Sequence, residues 1–482
     1  MTKFTSQYDA PGYDTVIIGA GMSGLAAGIR LAYFGRRVCI LEKHSTVGGL
    51  NSFYRLGGRN FDVGLHAVTN YVPRGTRKGP LARLLKQLRF SWDDFSLVPQ
   101  IGSMISFPGI SLGFNNNFEY FRSEVHKFFP REKDNFARLT AAVAGYDELD
   151  QVAGQQSARA IVSEFIRDPL LTDMIFCPLM FYGNAREHDM EFAQFSIMFR
   201  SIFMEGFARP WAGVRLILKN LVRRFKQLGG ELRLHSGVER FEVEDDRVAG
   251  IVLEDGSRLE SQRVLSSAGL VETMRLCEDE QPDQLPTAGQ LSFVESVSVL
   301  DTEPRELGCD KTILFFNDHD RFDWSKPEEL IDLRSGVVCC PNNFAYDQPL
   351  GEGLVRITTL ANFDRWRSLS AEAYQAAKSA CYERVIASAV RFMGDFRSRV
   401  IAKDTFTPTT IRRYTGHVNG AVYGAPDKRW SGTTHLKNLF VCGTDQGFVG
   451  IIGAMFSGIM MANRHLLPVG QDDFETAGME AP

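Results

Sequence analysis

Short apolar runs and amphipathic stretches alternate through the first fifty residues, and their spacing predicts a strand–helix–strand unit. Residues 13–18 become continuously apolar and β-branched toward their end, the pattern of a strand buried on both faces in a parallel sheet. Residues 25–34 have helical character, Gly35 is placed to cap their C-terminus, and 37–41 form a second apolar strand. Further along, Leu216, Leu218, Leu221, Val222 and Phe225 give residues 214–228 an amphipathic helical pattern that Gly229-Gly230 ends. Alternating segments follow at 231–235, 238–243 and 248–253, with Asp255-Gly256 as a turn, and 264–269 reads as a strand returning to the sheet. A last apolar strand, 439–442, precedes the glycine-spaced run 448–462. That run is shorter than the roughly 20 residues of a membrane span and predicts a buried helix instead.

The residues between these elements carry the chemistry. Gly19-Ala20-Gly21-Met22-Ser23-Gly24 stands between the first strand and the helix, and Glu42 ends the second strand, eighteen residues after Gly24. In that context Gly19 allows a tight turn, Gly21 lets the backbone approach a pyrophosphate, and Gly24 lets helix and strand pack closely. The helix N-terminus offers unpaired N–H groups and a positive dipole end to phosphates, with Met22 and Ser23 in the loop expected beside the cofactor. Glu42 suits the hydroxyls of a ribose and would repel a 2′-phosphate.

Glu42-Lys43 runs into Val47-Gly48-Gly49-Leu50, and Gly57-Gly58-Arg59-Asn60-Phe61-Asp62-Val63-Gly64 follows. Here the chain resembles the FAD-dependent family that contains amine oxidases and carotenoid desaturases. The resemblance implies FAD rather than NAD, with Lys43, Gly48, Gly49 and Leu50 beside the cofactor; no cysteine or histidine sits in a recognisable attachment motif, so the FAD is expected to be noncovalent. It implies that the backbone of Val238 meets the adenine. It also makes Gly443-Thr444-Asp445 a C-terminal flavin motif, with Asp445 at the ribityl chain or the pyrophosphate. The N–H groups of Gly450, Ile451 and Ile452 would then face the flavin, where a helix N-terminus favours negative charge.

The expected fold is α/β. A Rossmann-like FAD-binding domain, a doubly wound parallel sheet with a small antiparallel β-ribbon, would be assembled from residues 1–99, 210–270 and 404–468. A discontinuous α+β substrate domain would take 100–209 and 271–403, and 469–482 reads as a flexible tail. At 482 residues the chain is too long for one core, in keeping with two domains. A net charge of −4 supplies no basic field for nucleic acid. The eight cysteines form no CxxC pair and no evident metal cluster with histidine, and residues 1–10 lack signal-peptide character, so no metal and a reducing, cytoplasmic compartment are expected. Peripheral contact with the inner face of a membrane stays open. The basic positions Lys219, Arg223, Arg224 and Lys226 could meet headgroups, although a solvated helix face is the stronger reading.

Phenylalanine occurs 36 times, against 13 tyrosines and 5 tryptophans. Phe176, Met180, Phe181, Met190, Phe192, Phe195, Met198, Phe199, Phe203 and Met204 cluster in one segment that suits a tunnel wall or a core, and for any single residue core is favoured. Phe61-Asp62-Val63-Gly64-Leu65-His66 resembles the carotenoid desaturase, carotenoid isomerase and retinol saturase branch, with His66 nearer the saturase-like form. Residues 447–453 contribute one phenylalanine and otherwise small or aliphatic groups, unlike the aromatic cage of amine oxidases. The expected activity is oxidation of a long apolar polyene, with hydride passing to flavin N5 and a proton leaving the neighbouring carbon. Saturation or cis–trans isomerisation, amine oxidation, and flavin binding without turnover remain alternatives, and the oligomeric state is open. His66, Arg200, Tyr414 and His417 are the polar catalytic candidates. A structural role is even with a catalytic one for His66 and ahead for the other three.

Overall fold

The computed structural model describes residues 12–147, 156–279 and 285–468; the readings for 1–10 and 469–482 lie outside them. A five-stranded parallel sheet is built in the order Leu439–Val441, Ser261–Ser266, Tyr13–Ile18, Val38–Leu41, Glu231–Arg233. Side-chain alternation divides the first strand between two cores. Ile17 packs with Leu25 and Ile29 of helix Met22–Ala32, Leu221 of helix Val214–Gln227 and Ile459 of helix Gly450–Met461. Val16 and Ile18 face the antiparallel ribbon Val238–Glu244, Arg247–Leu253, Arg258–Leu259 through Phe241 and Ile251. A Cβ on Gly24 would collide with the Gly19 carbonyl oxygen, so this glycine sets the distance between helix and strand.

Two elements begin three residues earlier than the sequence reading places them. The helix begins at Met22, three residues early, directly on the glycine loop. The strand expected at 264–269 is Ser261–Ser266, because the Ser267 hydroxyl turns in to donate to the carbonyls of Ile18 (2.9 Å) and Gly19 (3.1 Å).

A second, seven-stranded mixed sheet runs Val400–Phe406, Ser292–Leu300, Gly353–Ala361, Ser335–Cys339, Ile313–Asn317, Ser103–Phe107, Ile110–Phe114. Val400–Phe406 pairs along its whole length with Ser292–Leu300, so the boundary expected at residue 404 falls inside a strand. Helices Phe118–Phe128, Pro169–Gly183 and Phe192–Phe199 cover one face of this sheet, and Ala371–Ala389 covers the other. The phenylalanine surplus is spent largely on the first of these faces. Phe121 stacks on Phe203 with centroids 4.3 Å apart, and Phe114, Phe136, Phe176, Phe195 and Phe199 are among the rings that join them in this core. Each such ring contributes about 1.5–3 kcal/mol by leaving water. Of the ten Phe and Met residues singled out between 176 and 204, only Phe181 reaches the large cavity described below. The core reading of that segment holds for the others.

The basic helix is partly engaged as well. Arg224 lies over the Phe90 ring and donates to the Tyr33 hydroxyl (2.7 Å), and Arg223 stands 3.9 Å from Asp94. No helix among the described residues is long and apolar enough to cross a membrane.

Candidate active site

A cavity of about 1050 Å³ runs from the C-terminal edge of the parallel sheet to the face of the mixed sheet. Its first end is made by the glycine loop: Gly19, Gly21, Met22 and Ser23 line it, followed by Glu42, Lys43, Gly48, Gly49 and Leu50. The Gly48 N–H donates to the Ala20 carbonyl at 2.9 Å, tying the second glycine pair to the loop. Gly48 has φ 114° and Gly49 φ 54°, left-handed values that favour glycine at both positions. Glu42 is buried and accepts N–H bonds from Ala20 and His44, both at 2.9 Å. An ionised carboxylate has about four acceptor sites, so two remain for hydroxyl donors.

Gly21 tests the fit of a cofactor. Its φ of −72° is open to any residue, and a Cβ there would meet no protein atom within 4 Å. Nothing in the protein therefore requires glycine at this position. What a side chain would occupy is the cavity itself, directly over the helix N-terminus where a pyrophosphate is stabilised. The residues fit a dinucleotide.

The wall beyond is formed by Val238, Gly443, Asp445, Gly450 and Ile451. Asp445 is buried; its two oxygens accept N–H bonds from Leu270 (2.5 Å) and Ala425 (2.6 Å), so it joins three chain segments around the cavity. Behind it the buried Lys428 ammonium donates to the Tyr423 carbonyl at 2.6 Å and lies 3.9 Å from Asp445, while burial pulls its pKa down. Gly24 and Ile452 do not line the cavity. The first acts through close packing, and the Ile452 side chain is in the core.

The far end is apolar and aromatic: Phe181, Tyr182, Phe293, Val337, Val422 and Tyr423. The Tyr182 hydroxyl is buried without a hydrogen-bond partner among the described residues. His66 reaches this end from the loop after strand Arg59–Asp62. Its Nε2 is 3.1 Å from Thr358 Oγ1 and 3.7 Å from Glu295 Oε1. Burial lowers the imidazole pKa, with Arg356 and Arg209 adding to the effect and Glu295 opposing it, so the ring is neutral at neutral pH. Beneath it Arg356 Nε donates to Glu295 at 2.5 Å, and Arg356 Nη1 donates to the Leu65 carbonyl at 2.8 Å. Arg209 donates to Asp62 (2.5 Å) and to the carbonyls of Leu65 (2.7 Å) and His66 (3.3 Å). The His66 loop is thus held from below by two buried guanidinium groups.

The other polar candidates divide. His417 lines the cavity 3.6 Å from Glu272; burial opposes its charge, but the glutamate prevails and raises its pKa. Tyr414 is at the rim, with 57% of its surface exposed. Arg200 is not a cavity residue: it donates to the Tyr146 carbonyl at 3.2 Å in the π-helical turn Arg200–Glu205. The sequence reading missed Glu295, Arg356, Arg209 and Tyr182. A signal for two of them existed. Glu295 is the one charge in the wholly buried strand Ser292–Leu300, and Arg356 the one charge in Gly353–Ala361.

Residues 22–466 match the family model described as flavin containing amine oxidoreductase. The chain belongs to that family. FAD is accordingly its cofactor and oxidoreduction its chemistry. The chloroplastic prolycopene isomerase of Daucus carota is 24% identical over 95% of this chain and 80% of its own length. The all-trans-retinol 13,14-reductase of Danio rerio is 23% identical, covering 94% and 86%. An oxidoreductase from Methanosarcina mazei shares the fold of this flavoprotein, with a TM-score of 0.66 at 17% identity over 93% of this chain and all of the other.

Proposed function

We propose that this flavoprotein desaturates a long apolar polyene, taken up from a lipid surface on the cytoplasmic side, with noncovalent FAD. The observation that carries the reading is the far end of the cavity, where Phe181, Phe293, Val337 and Val422 surround His66 with Glu295 beside it. Relatives named for prolycopene and for retinol, both apolar polyenes, support it. Leu56 and Tyr414, 48% and 57% exposed at the cavity rim beside Arg55, support entry from a lipid surface. Cys442 is the cysteine on the cavity wall, and burial pushes its thiol pKa up to about 12, which keeps it an unreactive thiol and supports noncovalent binding.

When bound, FAD supplies the two-electron acceptor. The chain supplies the rest. Phe181, Phe293, Val337 and Val422 exclude water and orient the substrate through apolar contact. His66 Nε2 takes the proton leaving the substrate, and Glu295 steadies the imidazolium that results. Arg356 holds Glu295 ionised against the cost of its burial. The N-terminus of helix Gly450–Met461 places positive partial charge on the cavity wall.

A second reading, amine oxidation, is favoured by one observation: Tyr182, Tyr423, Phe181 and Phe293 bring to the cavity the aromatic surface missing from residues 447–453. The deciding experiment supplies phytoene-like, lycopene-like and retinoid substrates in liposomes, with soluble amines in parallel, and separates products by chromatography. Conversion of polyenes to products with one more double bond supports the proposal. A saturated or isomerised product would replace the direction, and turnover confined to amines would overturn the substrate class.

A further inference from the structure

On a part of the molecule that does not line the cavity, two distant chain segments bring together three side chains of different chemistry. Cys277 follows helix Leu270–Met274 and bridges to Phe241 of the ribbon, and Asp279 is two residues on. His435 belongs to the loop before strand Leu439–Val441, 156 residues from Asp279. The Cys277 sulfur, one carboxylate oxygen of Asp279 and one ring nitrogen of His435 all lie within 4.8 Å of one another. His435 Nε2 and Asp279 Oδ2 are 2.9 Å apart. Cys277 is buried beneath, while 39% of the Asp279 and 35% of the His435 side-chain surface stays open to solvent.

We propose that Cys277, Asp279 and His435 form a binding site for a borderline divalent cation, zinc foremost, with water as the fourth ligand. A thiolate with an imidazole and a carboxylate is the donor set zinc accepts in tetrahedral sites, and the sulfur selects against magnesium and calcium. With metal–sulfur bonds of about 2.3 Å and metal–nitrogen or –oxygen bonds of about 2.0–2.2 Å, tetrahedral donors stand roughly 3.3–3.7 Å apart. The His435–Asp279 pair, at 2.9 Å, opens slightly to that spacing, and the Cys277 sulfur already lies within 4.8 Å of both. On binding, the Cys277 thiol gives its proton to solvent and exchanges its weak bond to the Thr273 carbonyl (3.6 Å) for a metal–sulfur bond. The cation would clamp the segment after Ser261–Ser266 to the loop before Leu439–Val441. These neighbouring strands lead into Ser267 and Gly443 at the cavity. No motif announces such a site, because its ligands come from separate segments.

The test uses FAD-replete full-length protein, stripped with a chelator and titrated with Zn²⁺ and Co²⁺. The expected result is one ion per chain and a sulfur-to-cobalt charge-transfer band in the difference spectrum against the metal-free holoenzyme. Cys277→Ser should remove that band, and Cys277→Ser and His435→Ala should each weaken Zn²⁺ by about tenfold or more. Flavin content should not change in either variant, since neither residue lines the cavity. Absence of binding, cobalt bound without the charge-transfer band, or equal zinc affinity in wild type and both variants would overturn the site and leave an ordinary Asp279–His435 hydrogen bond.

Discussion

Replacing Gly21 with alanine separates what the fold needs from what the cofactor needs. The added methyl group meets no protein atom within 4 Å, and φ −72°, ψ 179° suits alanine without strain. Two small effects on the apo-protein oppose each other. Restricting the unfolded chain stabilises by about 0.4–1 kcal/mol. Losing glycine at a helix N-cap costs about 0.5–1 kcal/mol. The net change in apo stability is therefore about zero. If the pyrophosphate lies over Gly21 as proposed, the same methyl group meets it in the holoprotein, and overpacking there costs about 1–3 kcal/mol, a weakening of about 5–150-fold. Gly24→Ala should do the reverse, because its Cβ collides with the Gly19 carbonyl and the apo fold itself must shift. The assays are a denaturant titration of deflavinated protein and an FAD titration followed by flavin fluorescence. If Gly21→Ala keeps wild-type FAD affinity, or loses apo stability as Gly24→Ala does, the glycine loop does not hold the pyrophosphate as argued.

Glu42→Ala removes a carboxylate that accepts two backbone N–H groups, so apo stability should fall by about 1.5–3 kcal/mol in denaturant titrations, and FAD affinity by about 1–3 kcal/mol. Glu295→Leu or Arg356→Met alone leaves an unpaired buried charge and should cost about 3–5 kcal/mol, whereas the double variant should cost less than the two together in a double-mutant cycle. His66→Ala should lower kcat by about 10²–10⁴-fold. The imidazole's pKa is held below 6.5, so the acid limb of a wild-type pH–kcat profile should fall below pH 6.5, and Glu295→Gln should move it lower still. The unfolded chain takes up this proton first, so stability should decline as pH drops through the window below 6.5.

The glycine-loop end of the cavity was legible because its signals are local. A buried strand, a glycine loop, a helix and an acid lie within thirty residues, and Gly19, Gly21 and Glu42 line the cavity from that one unit. The far end was less legible because it is assembled across the chain. His66 comes from one loop, Glu295 and Arg356 from two strands of the mixed sheet, and Tyr182 from helix Pro169–Gly183. Composition misdirected as much as it helped. Phenylalanine-rich sequence fits a core and a tunnel equally, and only the packing of Phe121 on Phe203 and its neighbours separates them. Asp62 was visible in its motif, but its partner Arg209 lies 147 residues away and depends on the fold to reach it.

The central claim is that electrons pass between FAD in this cavity and an apolar polyene. Its most direct measurement is anaerobic mixing of the oxidised holoprotein with polyene-loaded liposomes, following flavin and polyene absorbance together. The account predicts loss of oxidised-flavin absorbance in step with a red shift of the polyene bands, and neither change in a flavin-depleted Gly21→Val variant. Flavin reduced by amines and untouched by every polyene, or polyene converted equally well without flavin, would contradict it.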